Sequence, residues 1–541
     1  VAMSKGQKSF VKGAAILGIA GLIVKIIGAV FRIPLNNIIG SGGMAYYHVA
    51  YPIYTALLVI STAGLPTAIS RMVSERVTIG DYRGAHRVFQ TAFKWLFIIG
   101  VATTVLMLAF SGLYARLSAY PDAVPGLLLL APSLFFVSIL SAYRGYFQGL
   151  QMMSPTAITQ LVEQVIKLGA GLLLAWLWLP QGVQYGAAGA LLGISISELC
   201  ALVVVIIMYN RKKREIKDNR RRSASFPVAS SKALTSELFR IAIPIIIGGS
   251  VMPLVAALDT LMVKNIMIST GFTEKFAESS YGVLSGGVNS LINMPAVLSQ
   301  ALCMSLVPAI SEARIQNKPG MVSGRSAMGF KLALLVGLPS AVGMYILAEP
   351  IMRLLYSSGY TQEELLLGGQ LLRILAIGIL FLSLVQTMTG ILQGAGHQNR
   401  PVINLMIGAA VKVVLSFLLI RNPDLNVRGA AIGTAVCYGI AAVLDVISVV
   451  RRTKPDIRFL SGFVAPIIST AAMGAATYFL YQRLSASHGN TPSVLVTILA
   501  ALLVYVVMLF LTGALRREDM EYIPGGGKIT RLMTRLKLWR Q

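Results

Sequence analysis

Apolar stretches long enough to cross a bilayer, about 20 residues each, recur from residue 10 to residue 515 of this 541-residue chain. Hydrocarbon offers no water to backbone N–H and C=O groups, so each crossing must satisfy them internally. Lengths of this order call for helices rather than barrel strands. The composition agrees: 55% of residues are hydrophobic, 13% are charged and the mean hydropathy is +0.72, which excludes an ordinary soluble enzyme. Fourteen spans are expected, at 10–33, 45–70, 88–112, 124–149, 155–179, 185–209, 236–264, 280–311, 326–349, 365–393, 400–420, 427–450, 459–483 and 491–515. The first is too long for a signal h-region and lacks an A-x-A exit, so it is expected to be retained.

The net charge of +26 raises the question of nucleic acid, and the placement of the charge answers it. Alternate loops hold "RMVSERVTIGDYRGAHR", "YNRKKREIKDNRRRS", "SEARIQNKPGMVSGR" and "RRTKPDIR". Basic loops stay on the cytoplasmic side, so both termini are expected in the cytoplasm and no nucleic-acid partner is implied. In the tail "KITRLMTRLKLWRQ", Ile529, Leu532, Met533, Leu536 and Trp539 fall near one face. A basic amphipathic helix on the anionic inner leaflet and a plain solvated tail both fit. Cys200, Cys303 and Cys437 lie within spans without metal-like spacing, so they read as small apolar residues.

The chain repeats itself. "YPIYTALLVISTAGLPTAISRM" (51–72) parallels "MPAVLSQALCMSLVPAISEA" (294–313), and "FQGLQMMSPTAITQLVEQVIKLGAGLLL" (147–174) parallels "LQGAGHQNRPVINLMIGAAVKVVLSFLL" (392–419). "YGAAGALLG" (185–193) and "RGAAIGTAV" (428–436) follow in the same order. Each unit holds an even number of spans, so the two face the same way. The expected organisation is an N-lobe (1–209), a basic cytoplasmic linker (210–235), a C-lobe (236–450), two further helices (451–515) and a basic tail (516–541). Paired lobes suit alternating access. Gly21, Gly28 and Pro34 in span 1 and Pro244, Gly248, Gly249 and Pro253 in its counterpart are candidate bending points, as are Pro52, Pro66, Pro295 and Pro308.

Charges inside spans are costly, about 2.5–3.5 kcal/mol each near the bilayer centre, and ask for a reason. Lys25 and Arg32 are two turns apart on one face of span 1 with no acid beside them. Either an anion meets them from elsewhere, for which a phosphate suits the arginine fork, or both reach to headgroups. Glu163 and Lys167, at i and i+4, are expected to neutralise each other. Lys412 holds a comparable place in span 11, whereas Arg373 and Glu198 lack an obvious local partner. Asp259, beside Thr260, is a candidate to hold Na+ or a proton with Asn404 and Thr434, or else to pair with Lys264.

Familiar catalytic patterns fail. "YIPGGGKIT" (522–530) lacks both the leading glycine and the Ser or Thr of a phosphate loop, and His48, His86, His397 and His488 are scattered. No ATP site and no catalytic site are indicated, so the driving force falls to an ion gradient, the membrane potential or the substrate's own gradient.

"KIIGAVFRIPLNNIIG", "AGLPTAISRMVSE", "YRGYFQGLQMMSPTAITQLVEQVIK" and "LQGAGHQNRPV" resemble the multidrug/oligosaccharidyl-lipid/polysaccharide exporter superfamily. Within it the chain looks like the polysaccharide-transport branch of stage V sporulation protein B and the MurJ-type lipid II flippases. The resemblance spans nearly the whole chain, and fourteen spans rather than twelve favour the lipid-linked saccharide branch.

The resemblance implies a multi-pass protein of the bacterial cytoplasmic membrane that flips undecaprenyl-pyrophosphate-linked peptidoglycan precursor, lipid II, from inner to outer leaflet. Another lipid-linked polysaccharide unit and cation-coupled drug export are the alternatives, and cell-wall synthesis proteins are candidate partners. Lys25 and Arg32 approximately match the cavity cations of the family's first helix, and the last two helices would hold the prenyl tail. The family's arginine in the eighth helix falls here on Ser290, beside Asn289 and Asn293. The family's sodium ligands match Asp259, Asn404 and Thr434, with Gly408 where a second acid is expected. With Arg373, Lys167 and Glu163, these residues make up the expected site.

Overall fold

A computed structural model describes residues 5–221, 223, 230–456 and 460–514, and these are almost entirely helical, with no strand among them. Among the described residues, thirteen helical segments are long and apolar enough to cross a membrane. The first, Ile23–Thr78, is broken at Gly40 (φ 66°, ψ −174°) and supplies two crossings, in line with the fourteen-span reading. The tail and "YIPGGGKIT" lie outside the described residues.

Contacts group the chain into two compact units, Val1–Gly286 and Gly287–Gln541. The first contains α1 (Lys5–Thr62), α2 (Gly64–Thr78), α3 (Tyr82–Leu117), α4 (Val124–Leu130), α5 (Pro132–Gly149), α6 (Ser154–Trp178), α7 (Val183–Arg221), α8 (Ser231–Ser269) and α9 (Glu274–Gly282). Lipid tails are as apolar as leucine, so helix association rests on close van der Waals packing between small residues. Gly193 of α7 lies directly on the backbone of Gly171 in α6, and the Phe31 ring of α1 packs against the same glycine. Phe31, Leu35, Ile39, Met44, Tyr47 and Tyr54 form the buried centre of this packing. α8 opens the second sequence repeat, yet its Leu234, Leu238 and Ala242 are buried with Leu65, Met72 and Phe89 of α2 and α3.

The second unit contains α10 (Asn289–Ile315), α11 (Pro319–Ile346), α12 (Ala348–Tyr356), α13 (Gln362–Gly394), α14 (Asn399–Ile420), α15 (Val427–Thr453), α16 (Ala465–His488) and α17 (Asn490–Leu511). α13 packs on α10, α11 and α15 around Leu306, Ile310, Phe330, Met388 and Ile391. A capping box starts it: the Thr361 hydroxyl accepts from the Glu364 amide while the Glu364 carboxylate accepts from the Thr361 amide.

Two local expectations shift. The helix runs through Pro34 and breaks at Gly40 instead, because a proline costs a helix one hydrogen bond whereas the Gly40 conformation is open essentially to glycine alone. Residues 210–221, expected as linker, continue α7. Lys, Arg and Glu are good helix formers, and Lys212 pairs with Glu215 at 2.6 Å one turn on. At 39 residues α7 is about 58 Å long, against a hydrocarbon core of about 30 Å, so its charged end lies beyond the membrane interior.

Candidate functional site

In the first unit the charged in-span residues converge on the face shared by α1, α5, α6 and α7. Gly28 of α1, one turn from both Lys25 and Arg32, sits opposite Gln164 of α6, whose side-chain oxygen lies 3.6 Å from where a Cβ on Gly28 would be. Gln164 in turn donates to Glu163 Oε1 at 3.2 Å. The face that carries Lys25 and Arg32 is thereby turned toward the charged face of α6, and both side chains are partly buried.

Glu163 and Lys167 do not form the expected ion pair. Arg144 of α5 donates to Glu163 Oε2 at 3.1 Å and, through Nε, to Thr159 Oγ1 at 3.0 Å. An arginine from the neighbouring helix offers a planar fork that the i+4 lysine lacks, so it takes the carboxylate. Lys167 instead stands over two aromatic rings, 5.3 Å from the Phe31 centroid and 5.6 Å from that of Tyr51. Tyr51 stacks on Tyr47 at 5.7 Å. Rings attract a cation but leave its charge unneutralised.

Arg32 lies within electrostatic reach of Lys167, Tyr47 and His48. Among the described residues no carboxylate comes within 4.0 Å of the Arg32 guanidinium or the Lys167 ammonium. Glu198 of α7 is buried, feels Glu163, Arg144 and Lys167, and has one carboxylate oxygen without a hydrogen-bond partner. The arrangement is two cations, one of them over aromatic faces, with Glu163 committed to a third cation. Such a site can receive a dianion.

A second charged cluster occupies the ends of α8 and α9. Lys264, 1% exposed, donates to Glu274 at 2.9 Å and to Glu278 at 3.4 Å and lies 3.9 Å above the Tyr120 ring. Tyr46 donates to Glu278 Oε2 at 3.2 Å. The Asp259–Lys264 pairing raised from sequence is thus replaced by these two glutamates, which reach Lys264 from α9.

The second unit holds the remaining expected residues. Ser290 is buried in α10, Asn289 is half-buried, and exposed Asn293 donates back to the Asn289 carbonyl at 2.7 Å. Arg373 is exposed on α13 and Lys412 is buried on α14. Asn404 donates to Asp445 Oδ1 at 2.7 Å and to Ser448 at 3.3 Å, and Thr434 donates to the Ala430 carbonyl at 2.9 Å. Asn404 and Thr434 keep oxygen lone pairs, whereas Asp259 belongs to the first unit. No group of three or more His, Cys, Asp or Glu placed to hold a metal occurs among the described residues. An apolar groove of about 620 Å³ runs between α13 and α15 along Ile374, Ile377, Phe381, Ile432, Val436 and Ile440.

Sequence reasoning missed Arg144 and Asp445. Arg144 stood inside "YRGYFQG" as a cation near the end of a span, and Asp445 was an unexamined acid inside one; the rule that in-span charges need partners flags both.

The family profile described as Polysaccharide biosynthesis protein matches residues 10–314, and that described as MatE matches residues 244–418. Stage V sporulation protein B of Bacillus subtilis (strain 168) is 26% identical over 529 residues, covering 97% of this chain and 99% of that protein. Lipid II flippase MurJ of the same organism is 26% identical over 543 residues, 96% of this chain and 98% of the relative. Among solved structures, lipid II flippase MurJ in an inward closed conformation aligns with a TM-score of 0.67 at 16% identity, covering 91% of this chain and 98% of that one. At that identity the likeness shows the fold: an all-α, multi-pass membrane architecture.

Proposed function

The chain belongs to the polysaccharide biosynthesis protein family of the multidrug/oligosaccharidyl-lipid/polysaccharide exporter superfamily, and on that premise we propose that it is a flippase for a lipid-linked saccharide pyrophosphate. The substrate we assign is the undecaprenyl-pyrophosphate-linked peptidoglycan precursor, lipid II, moved from inner to outer leaflet of the bacterial cytoplasmic membrane. The observation that carries this reading is the pair of cations Arg32 and Lys167, neither with a carboxylate within 4.0 Å among the described residues, Lys167 standing over the Tyr51 and Phe31 rings.

A diphosphate bridging Arg32 and Lys167 offers each a charge-assisted hydrogen bond, and the guanidinium can bind two oxygens at once. In a site shielded from water such contacts outweigh those at a surface. Lys25, one heptad earlier on the same face, extends the basic strip along the path of the headgroup. Alternating access carries the headgroup across while the prenyl chain lies along the apolar last two helices. Cation coupling, to Na+ or H+, is assigned to Asp259 of the first unit; sodium dependence of transport that vanishes in Asp259→Asn tests it.

The decisive experiment depletes the protein in a strain without redundant flippases and measures the leaflet distribution of lipid II while total synthesis continues. Accumulation in the inner leaflet is expected, and an unchanged distribution rejects lipid II as the substrate. The match to stage V sporulation protein B at equal identity favours one second reading, a different lipid-linked saccharide unit, which the same assay separates by following that unit instead.

A further inference from the structure

A cavity of about 480 Å³ lies between the start of α3 and the charged end of α7, far along the chain from the Arg32 site. Its lining includes Arg83, Lys213, Lys217, Arg220 and Arg221, with His86 and Tyr209 in its inner wall. Among the described residues none of these five cations has a carboxylate within 4.0 Å. The neighbouring cations do: Arg71 meets Glu75 at 2.9 Å, Arg76 meets Glu237 at 3.8 Å and Lys212 meets Glu215 at 2.6 Å. Glu75, Glu237 and Glu215 are thus engaged by cations outside the cavity lining.

Two further observations give the cavity a built character. Arg83 Nε donates to the Arg220 carbonyl at 3.1 Å, and the Ser223 hydroxyl accepts from the Arg83 amide and donates to the Gly80 carbonyl at 3.2 Å. These bonds hold the two helix ends together against the repulsion of their own charges. His86 is 7% exposed, is packed against Phe89 and Tyr146, and its Nδ1 has no hydrogen-bond partner. A buried polar atom without a partner is costly, so it asks for a ligand or water in the cavity.

We propose that this cavity is a binding site for a phosphate-bearing anion at the cytoplasmic end of the first unit. Its volume falls in the range of small-molecule sites, roughly 300–1,000 Å³, and its guanidinium groups suit phosphate oxygens. The α7 extension beyond the hydrocarbon places it at the level of headgroups and cytosol, so a phospholipid headgroup and a soluble phosphate ester share the required chemistry. The site is independent of the flippase reading, since none of its residues lies in the Arg32–Lys167 cluster.

The test uses the full chain in nanodiscs, with inorganic pyrophosphate as the probe. In phosphatidylcholine, pyrophosphate is expected to raise the unfolding midpoint saturably. Lys217→Gln/Arg220→Gln weakens that affinity at least about tenfold, and Arg211→Gln/Lys212→Gln, which removes equal charge from the same helix outside the cavity, leaves it unchanged. In nanodiscs containing phosphatidylglycerol, a headgroup occupant blocks pyrophosphate binding and is retained in native mass spectra of wild type but not of Lys217→Gln/Arg220→Gln. A soluble occupant leaves the pyrophosphate affinity alike in both lipids. Equal weakening in the two double variants, or neither pyrophosphate binding nor a retained phospholipid, overturns the proposal. His86→Gln, which keeps polar atoms in the inner wall, is a second reading should a double variant unfold: it is expected to shift pyrophosphate affinity, and an unshifted value counts against the site.

Discussion

Arg144 stands 3.1 Å from Glu163 across the α5–α6 boundary, and this pair removes from play the one carboxylate four residues from Lys167. Lys167 is left to the Phe31 and Tyr51 rings. The positive character of the site therefore depends on a third cation, Arg144 of α5. Without Arg144 the Glu163 carboxylate would lose its one ion pair among the described residues.

Arg32→Ala and Lys167→Ala should each lower flipping at least about tenfold, in line with the loss of a charge-assisted hydrogen bond worth about 1.5–3 kcal/mol. Arg32→Lys should retain only part, because the fork is lost. Complementation of a depleted strain at normal expression, with membrane levels checked, is the measurement; full activity of both alanine variants would mean that the two side chains only reach for headgroups.

Removing one member of the Arg144–Glu163 pair leaves the other poorly solvated, whereas removing both does not. Arg144→Met or Glu163→Met should each destabilise the purified protein by about 2 kcal/mol, and the double variant by less than the sum. Thermal unfolding of the four proteins in one detergent closes the cycle. Additive losses would show that the two side chains do not interact.

Gly40 holds a backbone conformation, φ 66° and ψ −174°, that a Cβ disfavours by about 1–3 kcal/mol. Gly40→Ala should lower the unfolding midpoint, while Gly112→Ala, whose added methyl meets nothing within 4 Å inside a helix, should be neutral or slightly stabilising. Equal midpoints for the two would refute the strain argument.

In the loop between α13 and α14, burial and the guanidinium groups of Arg452, Arg314 and Arg400 hold the His397 imidazole below its ordinary value. Arg452 Nη1 lies 3.1 Å from His397 Nδ1 and can donate to it only while that nitrogen is unprotonated. The folded state thus prefers the neutral ring. Its stabilising share is complete above the unfolded value, about 6.5, and is lost as pH falls through the folded one. Between pH 7 and pH 5 the wild type should lose unfolding midpoint more steeply than His397→Gln; parallel curves would show that this histidine carries no such linkage.

The spans were legible because apolar length is a local property of the chain. The basic strip Lys25–Arg32 was legible for the same reason, being one face of one helix. Which cation takes Glu163 was not: Arg144 is nineteen positions away and wins through tertiary placement and its planar head. Likewise Lys264 finds Glu274 and Glu278 from the next helix rather than Asp259 from its own. Spacing within a helix proposes partners, and packing between helices chooses among them. The helical continuation of residues 210–221 misled for another reason: a dense charge run reads as linker, although its residues favour helix once an apolar segment has nucleated one.

α8 begins the second copy of the duplicated sequence, yet its buried side chains interdigitate with α2 and α3 from the first. The first compact unit is therefore completed by a helix that follows the basic stretch 210–221. Two separate polypeptides cut between residues 222 and 229 would reassemble only by finding each other, since neither fragment carries the full set of surfaces that α8 needs to be covered.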